Sequence, residues 1–428
     1  MPIAAPPVHT PRGAGARNPW PNCASLPRGP AAVLAALHLS DPQSDPLARL
    51  TDGQWRDALA FSDRWALTLA LRNRAAATMP LWVRERTDEN AAHNRERHQR
   101  LEELYRTLAG RLDAAGIEFL ALKGLTHCPD FGSRPEERTQ CDVDLYIPGE
   151  DVYRAQDAVR ALGYESMNDL EDFPTGHLPS LILKNGWQWR GDYFDPEIPV
   201  GIELHYEFWN DDVERLPVPD ADDLWRRRVK RAIAGTVMPV LCPVDGLAYA
   251  ALHLLKHVLR GSARPFHVYE VARFLDLRVG DSAFWEQWRK LHSSELRRLE
   301  AVMFRLAAAW FGGALHRVPE EEVGQLPAAT QAWFDEFALS PAAGLFRSNK
   351  DELWLHLSLL NSRRDRWSVA KRRLFPERLP GPVDATHIPE SEMRWHRRAL
   401  KGLRYTAYLA SRLRHHAAAL PRLAISGA

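Results

Sequence analysis

The stretch Phe119–Ile147, FLALKGLTHCPDFGSRPEERTQCDVDLYI, predicts a strand, a turn and a second strand that carries two acids. Successive side chains of a strand alternate between its faces, so Asp142 and Asp144 project from the same side, about 6.6 Å apart along the chain at about 3.3 Å per residue. Two carboxylates in an otherwise apolar strand are costly unless a cation compensates their charge. The pair therefore predicts a divalent-metal site, and a solvated strand edge or turn is the alternative that the pair alone leaves open.

The turn before the acidic strand has residues that suit phosphate. The apolar run Ile117–Leu122 predicts a buried strand that ends at Lys123 and Gly124. Glycine lets backbone N–H groups approach an anion closely, and a neighbouring lysine adds a point charge. The pattern GxxxxGK[ST] of a P-loop is absent. Arg138 lies in the connection that follows, so we predict that Lys123, Gly124 and Arg138 contact a triphosphate.

A third carboxylate is expected if the site follows the two-metal plan, in which one acid also helps to activate the attacking hydroxyl. The segment Pro199–Trp209, PVGIELHYEFW, predicts a strand in which Glu203 and His205 share one face. Glu203 is therefore the expected third acid, and His205 is expected at the nucleotide. A hydrogen-bonded histidine at a strand end is the other interpretation of His205.

Four segments of the chain together resemble one protein family. They are LALKG at 120–124, the arginine before CDVDLYI, IELHYEF at 202–208, and HLLKHVLRGSARPFHVYEVARFLDL at 253–277. The chain resembles, over residues 30–310, the uncharacterised nucleotidyltransferase family of bacteria, in the DNA polymerase beta-like superfamily. The resemblance implies that Asp142 and Asp144 bind Mg²⁺ and that Glu203 is the third carboxylate. It also implies transfer of a nucleoside monophosphate from a nucleoside triphosphate (NTP) to an unknown hydroxyl acceptor.

Two further hypotheses remain beside the transferase. Lys123 and Gly124 occupy the place where the wider superfamily usually carries a Gly-Ser pair, so a catalytically inactive nucleotide-binding or scaffold protein with the same fold stays open. Residues 363–428 contain 15 Lys or Arg and five Asp or Glu, with aromatic residues between them in a helical pattern. This tail could contact an anionic membrane surface or nucleic acid, or it could dock on the core with a solvated basic face.

The order of apolar patterns predicts an α+β fold, in which a small mixed sheet of nucleotidyltransferase type is flanked by helices, with helical regions at both ends. We expect five parts: a Pro- and Gly-rich tail without stable structure (1–30), a helical region (31–116), the α/β core (117–241), a helical domain (242–362) and a basic helical tail (363–428). Within the core, the segment Lys184–Asp195 predicts a hairpin.

Composition argues against several classes of protein. The formal net charge of +1 indicates no polyelectrolyte partner for the chain as a whole. The four cysteines form neither CxxC nor a metal-spaced set, and the sequence has neither a signal-peptide core nor a long charge-free apolar run. We therefore expect a cytoplasmic protein without a transmembrane segment. Frequent Arg, Ala and Pro are typical of a bacterium with a GC-rich genome.

Two histidines on a predicted helix raise the question of zinc. His253 and His257 stand four residues apart, a spacing that can bind this metal. Neither the glutamate of HExxH nor a third ligand lies nearby in the sequence. A structural role for both histidines is therefore expected.

Overall fold

The computed structural model describes residues 17–132, 134–166, 176–233, 235–375 and 395–425. Its helices and a single mixed sheet in this part of the chain confirm the α+β class. The helices are α1 (Arg28–Leu37), α2 (Asp45–Ala48), α3 (Asp52–Arg64), α4 (Thr68–Ala75), α5 (Leu81–Ala114), α6 (Val152–Arg160), α7 (Asp211–Glu214), α8 (Asp223–Arg226), α9 (Pro243–Leu259), α10 (Pro265–Leu277), α11 (Ser282–Leu291), α12 (Ser294–Phe311), α13 (Arg317–Gly324), α14 (Ala328–Phe337), α15 (Ser340–Ala343), α16 (Glu352–Leu359), α17 (Arg363–Leu374) and α18 (Trp395–Ile425). Short 3₁₀ helices lie at Trp20–Asn22, Ala76–Thr78, Gly124–His127 and Pro135–Glu137.

Seven strands of the described chain form the sheet. They are β1 (Leu120–Leu122), β2 (Asp142–Tyr146), β3 (Tyr164–Ser166), β4 (Leu181–Leu183), β5 (Gly201–His205), β6 (Val229–Ile233) and β7 (Thr236–Val240). Their order across the sheet is β3-β4-β5-β2-β1-β7-β6. The interior strand β1 pairs antiparallel with β2 and parallel with β7. Because neighbours enclose it on both edges, all three of its residues are apolar and buried.

Two large hydrophobic clusters hold the described residues together. One surrounds the sheet and includes Leu112 of α5, Leu145 of β2 and Ile202 of β5. The other combines the N-terminal helices α1 and α3 with α9, α10, α12 and α16. Trp20 shows how these parts meet: it is fully buried, its indole N–H donates to the carbonyl oxygen of Trp310, and the two rings meet edge to face at 5.6 Å. Burying such a side chain stabilises the fold by roughly 1.5–3 kcal/mol.

A buried network of charges lies inside the larger cluster. His292 sits 2.8 Å from an oxygen of Glu300 and 3.2 Å from an oxygen of Asp245. Arg227 donates to both oxygens of the same aspartate, at 2.9 and 2.7 Å. Burial lowers the pKa of His292, but the two carboxylates outweigh it and raise the pKa to about 9. The imidazole is therefore charged at neutral pH and bridges the two acids.

The segment Lys184–Asp195 forms no hairpin, so that prediction is wrong: among the described residues no strand lies between β4 and β5. The indole N–H of Trp187 donates to the carboxylate of Asp195, which also accepts from the backbone N–H of Glu197. Such side-chain hydrogen bonds give the backbone an alternative to a strand ladder.

The two ends of the chain are described in part. Residues 1–16 of the expected tail lie outside the described residues, whereas residues 17–30 include a 3₁₀ helix and the start of α1, held by the buried Trp20. In the basic tail, residues 376–394 and 426–428 lie outside the described part, and its contact with membrane or nucleic acid stays a prediction, as does the five-part division. No helix in the described ranges combines the length and apolarity needed to cross a bilayer.

Candidate functional site

The expected acids meet because β2 and β5 are parallel neighbours. Asp144 is paired in register with Glu203, and Asp142 with Gly201. Side chains at alternate positions of a strand share a face, so the acids and His205 project on one side of the sheet. Ligand atoms of Asp144, Glu203 and His205 all lie within 4.8 Å of one another. The structure thus brings together residues that stand about 60 positions apart in the sequence.

Asp144 is the most firmly held of the acids. One of its oxygens lies 2.8 Å from the ammonium nitrogen of Lys123 and 3.0 Å from Nε2 of His205, and the residue is buried. Burial would raise the pKa of this carboxyl, but the charge of Lys123 and the hydrogen bond from His205 hold it below its usual value. Asp144 is therefore ionised and oriented before any ligand binds.

Glu203 is held by a residue that the sequence did not indicate. Its carboxylate accepts a hydrogen bond of 2.9 Å from the hydroxyl of Ser180, and Nε2 of His205 lies 3.6 Å from its other oxygen. Burial would raise the pKa of Glu203, but His205 and the charge of Lys123 hold it far below the usual range. Ser180 was missed because it precedes β4, whose pairing with β5 no motif indicates.

Asp142 differs from its two neighbours. In the part of the chain that the structure describes, its carboxylate has no hydrogen bond or ion pair. Burial and the nearby charge of Asp144 raise its pKa from 3.8 to about 6. Asp142 is thus a carboxylate whose ionisation is unfavourable in the protein alone, and a bound cation would compensate it.

The turn after β1 has an unusual backbone. Lys123 has a φ of 45° and a ψ of −155°, a conformation that residues with a side chain seldom adopt and that costs about 1–3 kcal/mol. Gly124 also has a positive φ, and a Cβ placed there would lie 2.2 Å from the amide nitrogen of Gln140. That amide donates to the backbone oxygen of Asp142 at 2.6 Å. The turn is therefore packed directly against the acidic strand, and only glycine fits its second position.

The side chain of Arg138 forms a salt bridge inside the protein. Its guanidinium is buried and donates to both oxygens of Glu270, at 2.8 and 3.2 Å. Nδ1 of His127 lies 3.2 Å from the same carboxylate. Arg138 also lines the cleft described below. Its contact with a triphosphate stays a prediction.

A cleft of about 370 Å³ opens in front of Asp142 and Asp144. Its size falls within the range of small-molecule sites, about 300–1,000 Å³. Residues of three regions line it, among them Trp65, Lys123, Asp142, Asp144, Arg264 and His267. The segment Asp63–Ala66 at the end of α3 covers one side. Its part in the cleft was not predicted, because nothing in a helical region about 80 residues before β2 reveals where that region docks.

Three comparisons with known proteins bear on this chain. A family model described as "Uncharacterised nucleotidyltransferase" matches residues 52–312. The chain is also similar to a protein whose structure is titled "Crystal structure of an antigenic nucleotidyltransferase-like protein from Paracoccidioides brasiliensis": the two are 16% identical, the match covers 45% of this chain and 86% of that chain, and the TM-score is 0.28. No curated protein matches the chain.

Proposed function

The chain belongs to the uncharacterised nucleotidyltransferase family, and from this premise we propose that it transfers a nucleoside monophosphate from an NTP to an acceptor hydroxyl with the help of Mg²⁺. One observation carries the proposal. Asp142 and Asp144 project from β2 into the cleft, Glu203 lies beside Asp144 on the neighbouring strand, and the carboxylate of Asp142 is left without a partner in the described structure. Carboxylate oxygens are the ligands that Mg²⁺ prefers.

The charges at the site fit a divalent cation. Three carboxylates face one ammonium group, that of Lys123, which pairs with Asp144. The remaining negative charge is partly buried, and this burial together with the charge of Asp144 raises the pKa of Asp142. These residues would hold Mg²⁺ through the free oxygens of Asp142, Asp144 and Glu203. When bound, Mg²⁺ supplies charge neutralisation for the phosphates and for the departing pyrophosphate.

Each side chain has a task in the transfer. Lys123 lies at the cleft with its side chain only 11% exposed, where it can contact a phosphate oxygen while it still compensates Asp144. The backbone of Gly124 lies beside it at the cleft, where a phosphate can approach the chain closely. His205 donates to Asp144 and so orients that carboxylate.

The proton of the acceptor hydroxyl needs a base. Glu203 was the expected base, but its pKa is held far below the usual range, so it is a weak base and better suited as a cation ligand. The pKa of Asp142 is about 6 in the protein alone, but a bound cation would lower it, so solvent takes the proton as the acceptor oxygen attacks. In the reaction the acceptor oxygen attacks the α-phosphorus, the bond to the bridging oxygen of the β-phosphate breaks, and pyrophosphate leaves in line.

The test is a calorimetric titration of the full-length protein with each of the four common ribonucleoside triphosphates, with Mg²⁺ and with a chelator. We expect one NTP to bind only when Mg²⁺ is present. Asp142→Asn and Asp144→Asn should remove the Mg²⁺-dependent binding. Asp157→Asn, on the exposed surface of α6, is the matched control and should bind as the unmodified protein does.

A second candidate, a nucleotide-binding or scaffold protein without catalysis, is favoured by one observation. The ion pair of 2.8 Å between Lys123 and Asp144 satisfies one of the metal-binding acids without any metal. This candidate predicts NTP binding that survives the chelator and the Asp142→Asn change, or no binding in a folded sample. Either result would refute the Mg²⁺-dependent transferase.

A further inference from the structure

Three imidazoles converge beside the cleft, where one of them, His253, contacts the same Lys123 ammonium that pairs with Asp144. His253 and His257 lie one turn apart on α9, and His267 lies in the first turn of α10. The loop between the two helices folds α10 back along α9, which places the third imidazole beside the other two. One nitrogen of each ring lies within 4.8 Å of the others. His267 supplies the third imidazole, which the spacing of the first two histidines could not identify.

The nitrogen positions suit a tetrahedral metal. Nε2 of His253 and Nε2 of His257 are 3.2 Å apart. Two nitrogens bound to Zn²⁺ at about 2.0–2.1 Å with a tetrahedral angle lie about 3.3 Å apart. Nδ1 of His267 is buried and has no hydrogen-bond partner among the described residues. His253 and His257 therefore have the spacing of two ligands of one metal, and His267 has a nitrogen that the described protein leaves unused.

Polar contacts hold the rings of His253 and His257 in place. The ammonium of Lys123, which can only donate, lies 3.4 Å from Nε2 of His253 and requires a lone pair there. The hydroxyl of Ser262 lies 3.1 Å from Nδ1 of His257. When Nδ1 donates to that hydroxyl, Nε2 of His257 carries a lone pair and can bind a metal beside Nε2 of His253.

Burial favours the neutral form of these rings. It lowers the pKa of His253, His257 and His267 well below 6.5, and the neighbouring Lys and Arg side chains lower it further. Neutral imidazole is the form that binds a metal. The contact between Nδ1 of His257 and the hydroxyl of Ser262 is also of the kind that orients metal-bound histidines from outside the ligand shell.

We propose that His253, His257 and His267 bind a divalent transition metal of the zinc class, at a site separate from the carboxylates. Imidazole ligands select such an ion over Mg²⁺. Three protein ligands leave a fourth position for an oxygen, and His253 and His267 line the cleft, so that position faces whatever the cleft holds. Lys123 gives up its contact with His253 when the metal binds and keeps its ion pair with Asp144. Binding of this metal does not depend on the transferase reaction.

The experiment uses the full-length protein, stripped with a chelator and titrated with Co²⁺ in the absence of nucleotide. We expect one equivalent to give the strong visible absorption of four-coordinate cobalt, which Zn²⁺ then bleaches. Metal analysis after dialysis against Zn²⁺ should give one zinc per chain. His257→Gln and His267→Gln should weaken Co²⁺ binding by more than about 100-fold, since changes outside the ligand shell already cost 10–100-fold.

Three variants distinguish binding at the histidines from binding elsewhere on the protein. His98→Gln, a histidine on α5 with a glutamate one turn away, is the matched control and should bind Co²⁺ normally. Asp142→Asn should also leave Co²⁺ binding intact, so a failed Mg²⁺ site and a failed zinc site give different results. Ser262→Ala keeps all three ligands and should weaken Co²⁺ binding by about 10–100-fold. This variant tests the site if the histidine variants do not fold.

Several results would overturn the proposal. A weak six-coordinate cobalt spectrum, or binding that His257→Gln and His267→Gln leave unchanged, would show that the histidines are not ligands. Inorganic phosphate binding that His267→Gln abolishes, in a protein that takes up no Co²⁺, would assign the cluster to an anion instead.

Discussion

Replacing Asp142 with asparagine should stabilise the metal-free protein. In the folded state the pKa of Asp142 is raised from 3.8 to about 6. Because the folded-state value is the higher one, this carboxyl contributes its full stability only below about pH 4 and loses it as the pH rises through 6. A rise of about two pKa units corresponds to at most about 3 kcal/mol at neutral pH. Asparagine has nearly the same shape and carries no charge, so we expect the free energy of unfolding at pH 7.5 to increase by about 1–3 kcal/mol.

Urea unfolding in the presence of a chelator measures this increase. The advantage of Asp142→Asn should fall to about half at pH 5, because the unmodified carboxyl is then mostly protonated in the folded state. Added Mg²⁺ should stabilise the unmodified protein and not the variant.

Asp144→Asn is the informative contrast to Asp142→Asn. It leaves the buried ammonium of Lys123 unpaired and should lower the free energy of unfolding by about 3–5 kcal/mol. If Asp142→Asn instead destabilises the chelated protein at pH 7.5, the carboxylate has a partner and the assignment of a cation position beside it fails.

Three further perturbations test other parts of the structure. His292→Gln should remove the fall in stability at alkaline pH. Because the folded-state pKa of about 9 lies above 6.5, the free energy of unfolding of the unmodified protein should fall by about 2 kcal/mol between pH 6 and pH 8. Urea unfolding of the variant should show no such fall. Gly124→Ala should cost at least about 1–2 kcal/mol in thermal unfolding and reduce NTP binding, whereas Gly149→Ala, which meets no atom within 4 Å, should change neither. Arg138→Gln leaves the buried Glu270 with only His127 beside it and should cost about 3–5 kcal/mol in urea unfolding, of which the double change Arg138→Gln/Glu270→Gln should restore most.

Local patterns were sufficient to find the acidic strands. Alternation placed Asp142 and Asp144 on one face of a strand and Glu203 and His205 on one face of another, and both strands are present as β2 and β5. The α+β class followed from the order of helical and alternating segments. The alternation of residues along one strand does not show which strands are neighbours, because strand pairing is decided by packing over the whole sheet.

The parts of the site that escaped prediction are those made by long-range docking. Ser180 reaches Glu203 only because β4 pairs with β5. His267 completes a cluster with His253 and His257 only because a loop folds α10 back along α9. Arg138, in contrast, was identified as a charge near the turn, but its buried partner Glu270 stands 132 residues away and no local pattern relates the two.

The bond from Trp20 to Trp310 joins residues 290 positions apart, and this separation affects how the protein can form during synthesis. Helix α1, with nine of its ten residues buried in the finished protein, leaves the ribosome long before α12 exists to cover it. At about 5–20 residues per second, synthesis of the intervening chain takes roughly 15–60 s. Helices α2, α3 and α4 are made directly after α1 and pack on part of it, but the surface of α1 that packs on α12 is open to other nascent chains and to chaperones during that time.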